Sequence, residues 1–180
     1  MAAPILLTTF APWRAHQASN ASEDLLIGLE QRHRLPPNLT LMRQLPVNFD
    51  LAPGRVIATM MQLRPAVVVC CGMAEQRSYL TLERYGNGPN RVLQTSLGLE
   101  LLMTNTRLTA ISTCAGTYVC NHLYYHVLDA IERYRWPSQA IFIHVPKLTA
   151  ATEPFLVADL ALILRRLGTV PNRLAQLAAA

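Results

Sequence analysis

The feature that most constrains the fold is an alternation of short apolar runs and amphipathic helical patterns in the first 72 residues. Apolar runs rich in β-branched residues predict buried strands, and apolar residues at helical spacing predict helices. Strands that alternate with helices are typical of a sheet with a parallel core and right-handed crossovers. We therefore predict a single-domain, three-layer α/β/α sandwich with a mostly parallel central sheet. The predicted order is a strand at 4–10, a helix at 20–34, a strand at 39–47, a helix at 54–63 and a strand at 66–72.

The two helices predicted within the first 72 residues have further features in their sequence. Asn20 and Glu23 have the spacing of a capping box, which marks a helix start. In the helix at 54–63, the residues expected to face inward are Val56, Ile57, Met60 and Met61. The rest of the chain predicts strands at 78–83, 108–112 and 139–146, helices from 119 and 152, and a long turn at 85–90. The segment 91–102 fits a strand followed by a loop or by a short helix.

Composition indicates one compact domain over residues 1–180, with a core at about 4–168 and a tail at 169–180. The hydrophobic content of the 180 residues, 51%, is enough to bury a full core, and the charged content is only 15%. The net charge is +5, but the arginines are scattered and form no basic stripe, so nucleic acid is not an expected partner. The longest apolar segment, Phe155 to Leu164, is interrupted by Asp159, so no membrane span is expected.

The cysteines indicate a reducing compartment. Cys70, Cys71, Cys114 and Cys120 have neither a disulfide framework nor zinc-finger spacing. The N-terminal residues lack the positive charge and the long apolar stretch of a signal peptide. We therefore expect a cytoplasmic protein with free thiols.

A strand–turn–helix unit at 108–131 contains the first candidate for catalysis. Ala115-Gly116-Thr117 predicts a tight turn in which Thr117 caps the following helix. Cys120 would lie in the first helical turn, where free N–H groups and the helix dipole lower the pKa of a thiol and make it a nucleophile. The alternative is that Cys120 is a small buried apolar residue.

A thiol nucleophile needs a base within about 3 Å and a third group that orients the base. His144 is the candidate base, because it lies near the carboxyl end of an apolar strand, where sites in such sheets collect. A core histidine is the alternative. Glu83 is the candidate orienting acid, with a plain ion pair to Arg84 as the alternative. His122 and His126 share the helix of Cys120 and are less suitable by position.

Five segments of this chain resemble four motifs of the pyroglutamyl peptidase I family, cysteine peptidases that remove N-terminal pyroglutamate. Ala115–His122 is similar to the family's nucleophile motif, and Ile141–Pro146 to the segment around its catalytic histidine. Gly72–Ala74 with Leu80–Arg84 is similar to its catalytic glutamate segment. Thr8–Trp13 resembles its Gly-Phe-x-Pro-Phe-Gly loop. The motifs occur in the family's order and extend over most of the chain.

The resemblance implies a fold, a reaction and a set of site residues. The fold is the pyroglutamyl peptidase I type, and the reaction is removal of pyroglutamate from peptides by Cys120, with His144 as base and Glu83 as its orienting acid. No metal or organic cofactor is implied, and a homo-oligomer is left open. The residues implied to contact substrate are Phe10, Trp13 and Met73.

The chain also departs from the family pattern. Thr9 replaces the first glycine of the N-terminal loop, Trp13-Arg14 replaces Phe-Gly, and Met73 stands where many bacterial members have glutamine. The segment 85–95 is shorter than usual. Two alternatives to the peptidase are therefore kept: a thiol hydrolase of another small cyclic amide, and a non-catalytic relative that binds peptide ends.

Overall fold

The computed structural model describes residues 2–169. Within this range the chain forms eight strands and five helices, and the first five elements alternate between strand and helix as the sequence predicts. The strands are β1 (Ile5–Phe10), β2 (Leu39–Leu45), β3 (Val67–Met73), β4 (Leu80–Glu83), β5 (Tyr85–Asn87), β6 (Val92–Gln94), β7 (Thr109–Ser112) and β8 (Gln139–Val145). The helices are α1 (Ala21–Gln31), α2 (Leu51–Leu63), α3 (Leu99–Met103), α4 (Val119–Arg133) and α5 (Glu153–Leu167).

Six of the strands form one twisted sheet in the order β2-β1-β3-β8-β4-β7. Neighbouring strands run parallel, except that β4 is antiparallel to β8. β5 and β6 form a separate antiparallel hairpin. The prediction of an α/β fold with a mostly parallel central sheet is therefore confirmed.

Side chains of the two central strands alternate between two apolar layers. On β8, Ile141 and Ile143 face the layer that contains α1 and α5, whereas Ala140 and Phe142 face the layer that contains α2 and α4. Successive residues of a strand point to opposite faces, so His144 lies on the same face as Phe142. This alternation places the candidate base on the side of the sheet that α4 covers.

Helix α2 differs from the prediction in its start and in its inner face. It begins at Leu51, and only Val56 and Met60 of the four expected inward residues are buried. Ile57 is partly buried and Met61 is 61% exposed. Val56 and Met60 are four residues apart and share a face, whereas Ile57 and Met61 are each one residue further around the helix.

The turn predicted at 85–90 is wrong in its first half, because Tyr85–Asn87 is strand β5. It pairs with Val92–Gln94, so the short segment closes as a hairpin. Gly86 lies against α4: a Cβ there would be 3.1 Å from the Cα atom of Tyr125. The hairpin therefore packs closely on the helix that contains Cys120.

The predictions for the C-terminal end are confirmed only in part. Gly168 ends α5 as predicted. The expected tail at 169–180 lies outside the described residues apart from Thr169. None of the helices in residues 2–169 is both long and apolar enough to cross a membrane.

Candidate active site

Cys120 is the second residue of α4 and is pressed against the central strand β3. A Cβ atom added to Gly72 would lie 2.7 Å from the thiol sulfur and 2.9 Å from the Cβ of Cys120. Only glycine leaves this space, so the carboxyl end of β3 is shaped around the thiol. Gly72 pairs with His144 on the neighbouring strand β8. The thiol and the imidazole therefore lie on the same face at the carboxyl ends of adjacent strands.

His144 forms a buried pair with Glu83. Its Nδ1 atom is 2.8 Å from Oε1 of Glu83, across the antiparallel contact of β4 and β8. Glu83 is fully buried, and its Oε1 also accepts hydrogen bonds from Arg77 at 2.5 Å and from the Thr81 hydroxyl at 3.1 Å. A carboxylate at Nδ1 fixes the ring orientation and leaves Nε2 as the atom that exchanges protons.

The loop before α4 has a conformation that its sequence explains. Gly116 has a φ of 71°, in the left-handed region that favours glycine. Thr117 is not the cap, contrary to the prediction: the cap residue is Tyr118, in an extended conformation and with no side-chain hydrogen bond. α4 nevertheless starts at Val119, as predicted, so Cys120 lies in its first turn.

Two side chains from outside the loop hold it in place. The Asn87 amide donates to the Gly116 carbonyl at 3.1 Å, and Arg77 donates to the Cys114 carbonyl at 2.8 Å. Asn121, next to the thiol, exchanges two hydrogen bonds with the backbone of Asn87, both at 2.8 Å. The hairpin formed by the short 85–95 segment thus anchors the nucleophile loop on one side, and Arg77 anchors it on the other.

The pKa of Cys120 differs from the expectation for a helix-end thiol. Burial raises it to about 12, and the stabilising effect of the helix start does not compensate. Burial also lowers the pKa of His144, against the opposing effect of Glu83, so the imidazole is neutral at pH 7. Although burial alone would raise the pKa of Glu83, its contacts with His144 and Ser112 and, more weakly, the charge of Arg77 leave it below the usual value. The resting site therefore pairs a neutral thiol with a neutral base.

The carboxyl ends of these strands open into a cleft of about 570 Å³, which His144 lines. Trp13 and Met73, two of the predicted substrate contacts, line it as well. Trp13 packs on Tyr118 with ring centroids 4.6 Å apart, and the guanidinium of Arg14 lies 4.3 Å from its centroid. The cleft therefore has an aromatic wall beside the predicted base.

The third predicted contact, Phe10, is placed differently. It is completely buried in the apolar layer beneath α2 and α4, and it is not among the residues that line the cleft. Phe10 is the last residue of β1 and its side chain points into this layer together with Leu6. Phe10 is therefore a core residue, and the prediction that it lines the substrate pocket is wrong.

The two histidines of α4 form contacts other than the Glu83–His144 pair. The rings of His122 and His126 pack edge to face with centroids 4.3 Å apart, and His122 also contacts the exposed Phe49. Among the cysteines, Cys70 and Cys71 are fully buried and only Cys114 is exposed. Sequence reasoning did not identify Arg77, because one arginine in a polar loop carries no signal of its own.

Comparisons with known proteins identify relatives in the family that the sequence motifs resemble. The sequence model of the family described as "Pyroglutamyl peptidase" matches residues 100–154, which include Cys120 and His144. A pyrrolidone-carboxylate peptidase of Cupriavidus pinatubonensis is 26% identical over 172 residues, covering 80% of this chain and 78% of the relative.

Solved structures show the same fold. Pyroglutamyl peptidase I of Bacillus amyloliquefaciens superposes with a TM-score of 0.78 at 22% identity, covering 96% of this chain and 97% of that one. Pyrrolidone carboxyl peptidase of Thermococcus litoralis gives a TM-score of 0.74 at 20% identity, covering 91% and 92%. The resemblance of this chain to the pyroglutamyl peptidase I family is therefore confirmed, in its sequence and in its fold.

Proposed function

We propose that this protein is a cysteine peptidase that removes N-terminal pyroglutamate from peptides. The observation that carries the proposal is the placement of three groups. A buried Glu83–His144 pair and the thiol of Cys120 lie on one face of the sheet, and His144 lines an open cleft there. Acid, base and nucleophile are the three parts that acyl transfer through a thiol needs. The relatives named above supply the substrate class.

In the first half of the reaction, the Cys120 sulfur attacks the carbonyl carbon that joins pyroglutamate to the next residue. Because the thiol is neutral at rest, Nε2 of His144 accepts its proton as the carbon–sulfur bond forms. Glu83 stabilises the resulting imidazolium through Nδ1. The first N–H groups of α4 have no partner within the helix, and they can stabilise the oxyanion.

In the second half, the tetrahedral intermediate collapses. His144 gives the proton to the leaving amine, the peptide departs, and a thioester remains on Cys120. Water then attacks the thioester while His144 accepts a proton from it. Pyroglutamate is released and the thiol is restored, so the cycle needs only water and the peptide.

Recognition of pyroglutamate follows from the shape of the cleft. The pyroglutamyl ring is small, flat and uncharged, so an apolar wall with a few polar contacts suits it. Trp13 and Met73 provide apolar surface in the cleft, whereas Phe10 is buried in the core. We assign Trp13 and Met73 as substrate contacts.

The proposal also includes a reducing location such as the cytoplasm. All four cysteines are free, and two of them, Cys70 and Cys71, are adjacent and buried. A peptidase that uses a thiol stays active only where that thiol stays reduced.

Hydrolysis of a pyroglutamyl-coumarin substrate tests the proposal. The wild-type protein should release coumarin, Cys120→Ser should not, and Cys114→Ser should remain active as the matched control. Binding of the substrate without turnover would support the non-catalytic alternative. Turnover of other cyclic amides, with none of this substrate, would support the different thiol hydrolase.

A further inference from the structure

Arg77 connects the candidate acid to the loop that precedes the nucleophile. It lies between β3 and β4, and both terminal nitrogen atoms of its guanidinium donate hydrogen bonds. NH1 donates to Oε1 of Glu83 at 2.5 Å and also contacts the Thr81 hydroxyl, while NH2 donates to the Cys114 carbonyl at 2.8 Å. One rigid planar group therefore spans two elements that are separate in sequence.

At one end of this bridge, Arg77 compensates the buried negative charge of Glu83. Glu83 is completely buried, and a buried carboxylate is costly unless a cation and hydrogen bonds compensate it. His144 cannot be the compensating cation at rest, because its own pKa is lowered and it must be neutral to act as a base. Arg77 is always charged, so it can keep Glu83 ionised while His144 stays neutral.

The Cys114 end fixes the position of the nucleophile loop. Cys114 lies two residues before the left-handed Gly116 and six before Cys120. Arg77 itself is held by its backbone, since its N–H donates to the Ala74 carbonyl at 3.0 Å. The bridge therefore sets the distance between the start of the nucleophile loop and β4, on which Glu83 lies.

We propose that Arg77 is a positioning residue, which holds the Glu83–His144 pair and the nucleophile loop in the arrangement that catalysis requires. This inference rests on the proposed function. Arg77 acts through its neighbours and takes no proton in the reaction.

The groups that face His144 determine what removal of Arg77 does to the pH profile. They are Glu83 from β4 and Arg77 from the β3–β4 loop. Glu83 raises the pKa of His144 and Arg77 lowers it. Without the guanidinium, the pKa of His144 should rise, and the acid limb of kcat/KM should move to higher pH.

Two substitutions separate charge from geometry. Arg77→Met removes both, and should lower kcat roughly 10- to 100-fold, with the acid limb shifted upward and KM changed less. Arg77→Lys keeps the charge but loses the planar fork that spans Glu83 and Cys114. It should lower kcat while the acid limb stays close to that of the wild type. If Arg77→Met does not fold, Arg77→Lys still tests the geometry.

Arg91→Met is the matched control, because Arg91 also forms ion pairs, with Asp129 and Glu132, but away from the cleft. It should leave kcat and the pH profile unchanged. Arg77→Met with a lower melting temperature but the kcat and acid limb of the wild type would overturn the proposal. A loss confined to KM would also overturn it, since Arg77 would then be part of the substrate-binding wall.

A readout without turnover separates this inference from the proposed function. Iodoacetamide labels Cys120 in a Cys114→Ser background, in which the exposed competing thiol is absent. Because neutral His144 accepts the thiol proton, Arg77→Met should move the acid limb of this labelling to higher pH even if no pyroglutamyl substrate is cleaved. An unchanged labelling profile would refute the role of Arg77, whereas absence of cleavage by the wild type would refute only the peptidase activity.

Discussion

Substitution of Gly72 by alanine tests the site through a single methyl group. The new Cβ would lie 2.7 Å from the sulfur of Cys120, 2.9 Å from its Cβ and 3.2 Å from Cε2 of Phe142. Rotation of the thiol relieves only the first of these contacts, because the Cβ of Cys120 is fixed by the backbone of α4. The start of α4 must therefore move away from β3.

The size of the effect follows from these distances. Carbon atoms pack best at about 3.5–4.0 Å, so a contact of 2.9 Å requires a movement of roughly 0.6–1 Å. Overpacking of this kind costs about 1–3 kcal/mol of stability. Displacement of a reacting atom by about 1 Å lowers the reaction rate by up to roughly 100-fold. Gly72→Ala should therefore lower kcat by one to two orders of magnitude while most of the protein stays folded.

The assay is hydrolysis of pyroglutamyl-coumarin, combined with urea unfolding of the same preparation. Gly54→Ala is the control: Gly54 is in α2, and a Cβ there would meet no atom within 4 Å. It should keep full activity and gain about 0.5–1 kcal/mol, as alanine usually does in a helix. A Gly72→Ala protein with activity within about threefold of the wild type would refute the close approach of Cys120 to β3.

Three further predictions concern the base, the pH profile and the cleft wall. His144→Ala should reduce turnover by about 10²–10⁴-fold, whereas His126→Ala should matter far less; a larger loss from His126→Ala in a folded protein would refute the choice of base. Burial lowers the pKa of His144 below 6.5, and protonated His144 cannot accept the thiol proton. Activity should therefore fall with decreasing pH through a value below 6.5, and an acid limb above pH 7 would contradict this. Trp13→Ala should raise KM more than it changes the melting temperature, and Trp13 fluorescence in a Trp136→Phe protein should respond to pyroglutamate; an unchanged KM with flat fluorescence would remove Trp13 from the site.

The fold could be predicted because its signals are local. Runs such as Val67–Cys71 are apolar throughout, and they form the buried central strands. Asn20 caps α1 as expected, with its side chain accepting from the Ser22 N–H. The predicted capping box is incomplete, because Glu23 instead accepts from Thr9 and Arg43. The partners of the Glu23 carboxylate come from distant parts of the chain, and spacing along the sequence does not reveal them.

The sequence names the residues of the candidate site but does not reveal its electrostatics. A cysteine at a helix start predicts a lowered pKa, yet the packing of Cys120 against Gly72 buries the thiol and raises it. Arg77 was missed because its role depends on two partners, Glu83 and Cys114, that are 6 and 37 residues away. Phe10 ends a strand as predicted, but only the packed structure shows its side chain in the core.

The most direct test of the account is detection of the covalent intermediate on Cys120. The protein is mixed with a pyroglutamyl peptide, quenched in acid within the first turnovers, digested and examined by mass spectrometry. The account predicts one added pyroglutamyl group on the peptide that contains Cys120, and its absence in Cys120→Ser. A pyroglutamyl group on Cys114 instead, or turnover that continues in Cys120→Ser, would contradict the claim that Cys120 is the nucleophile.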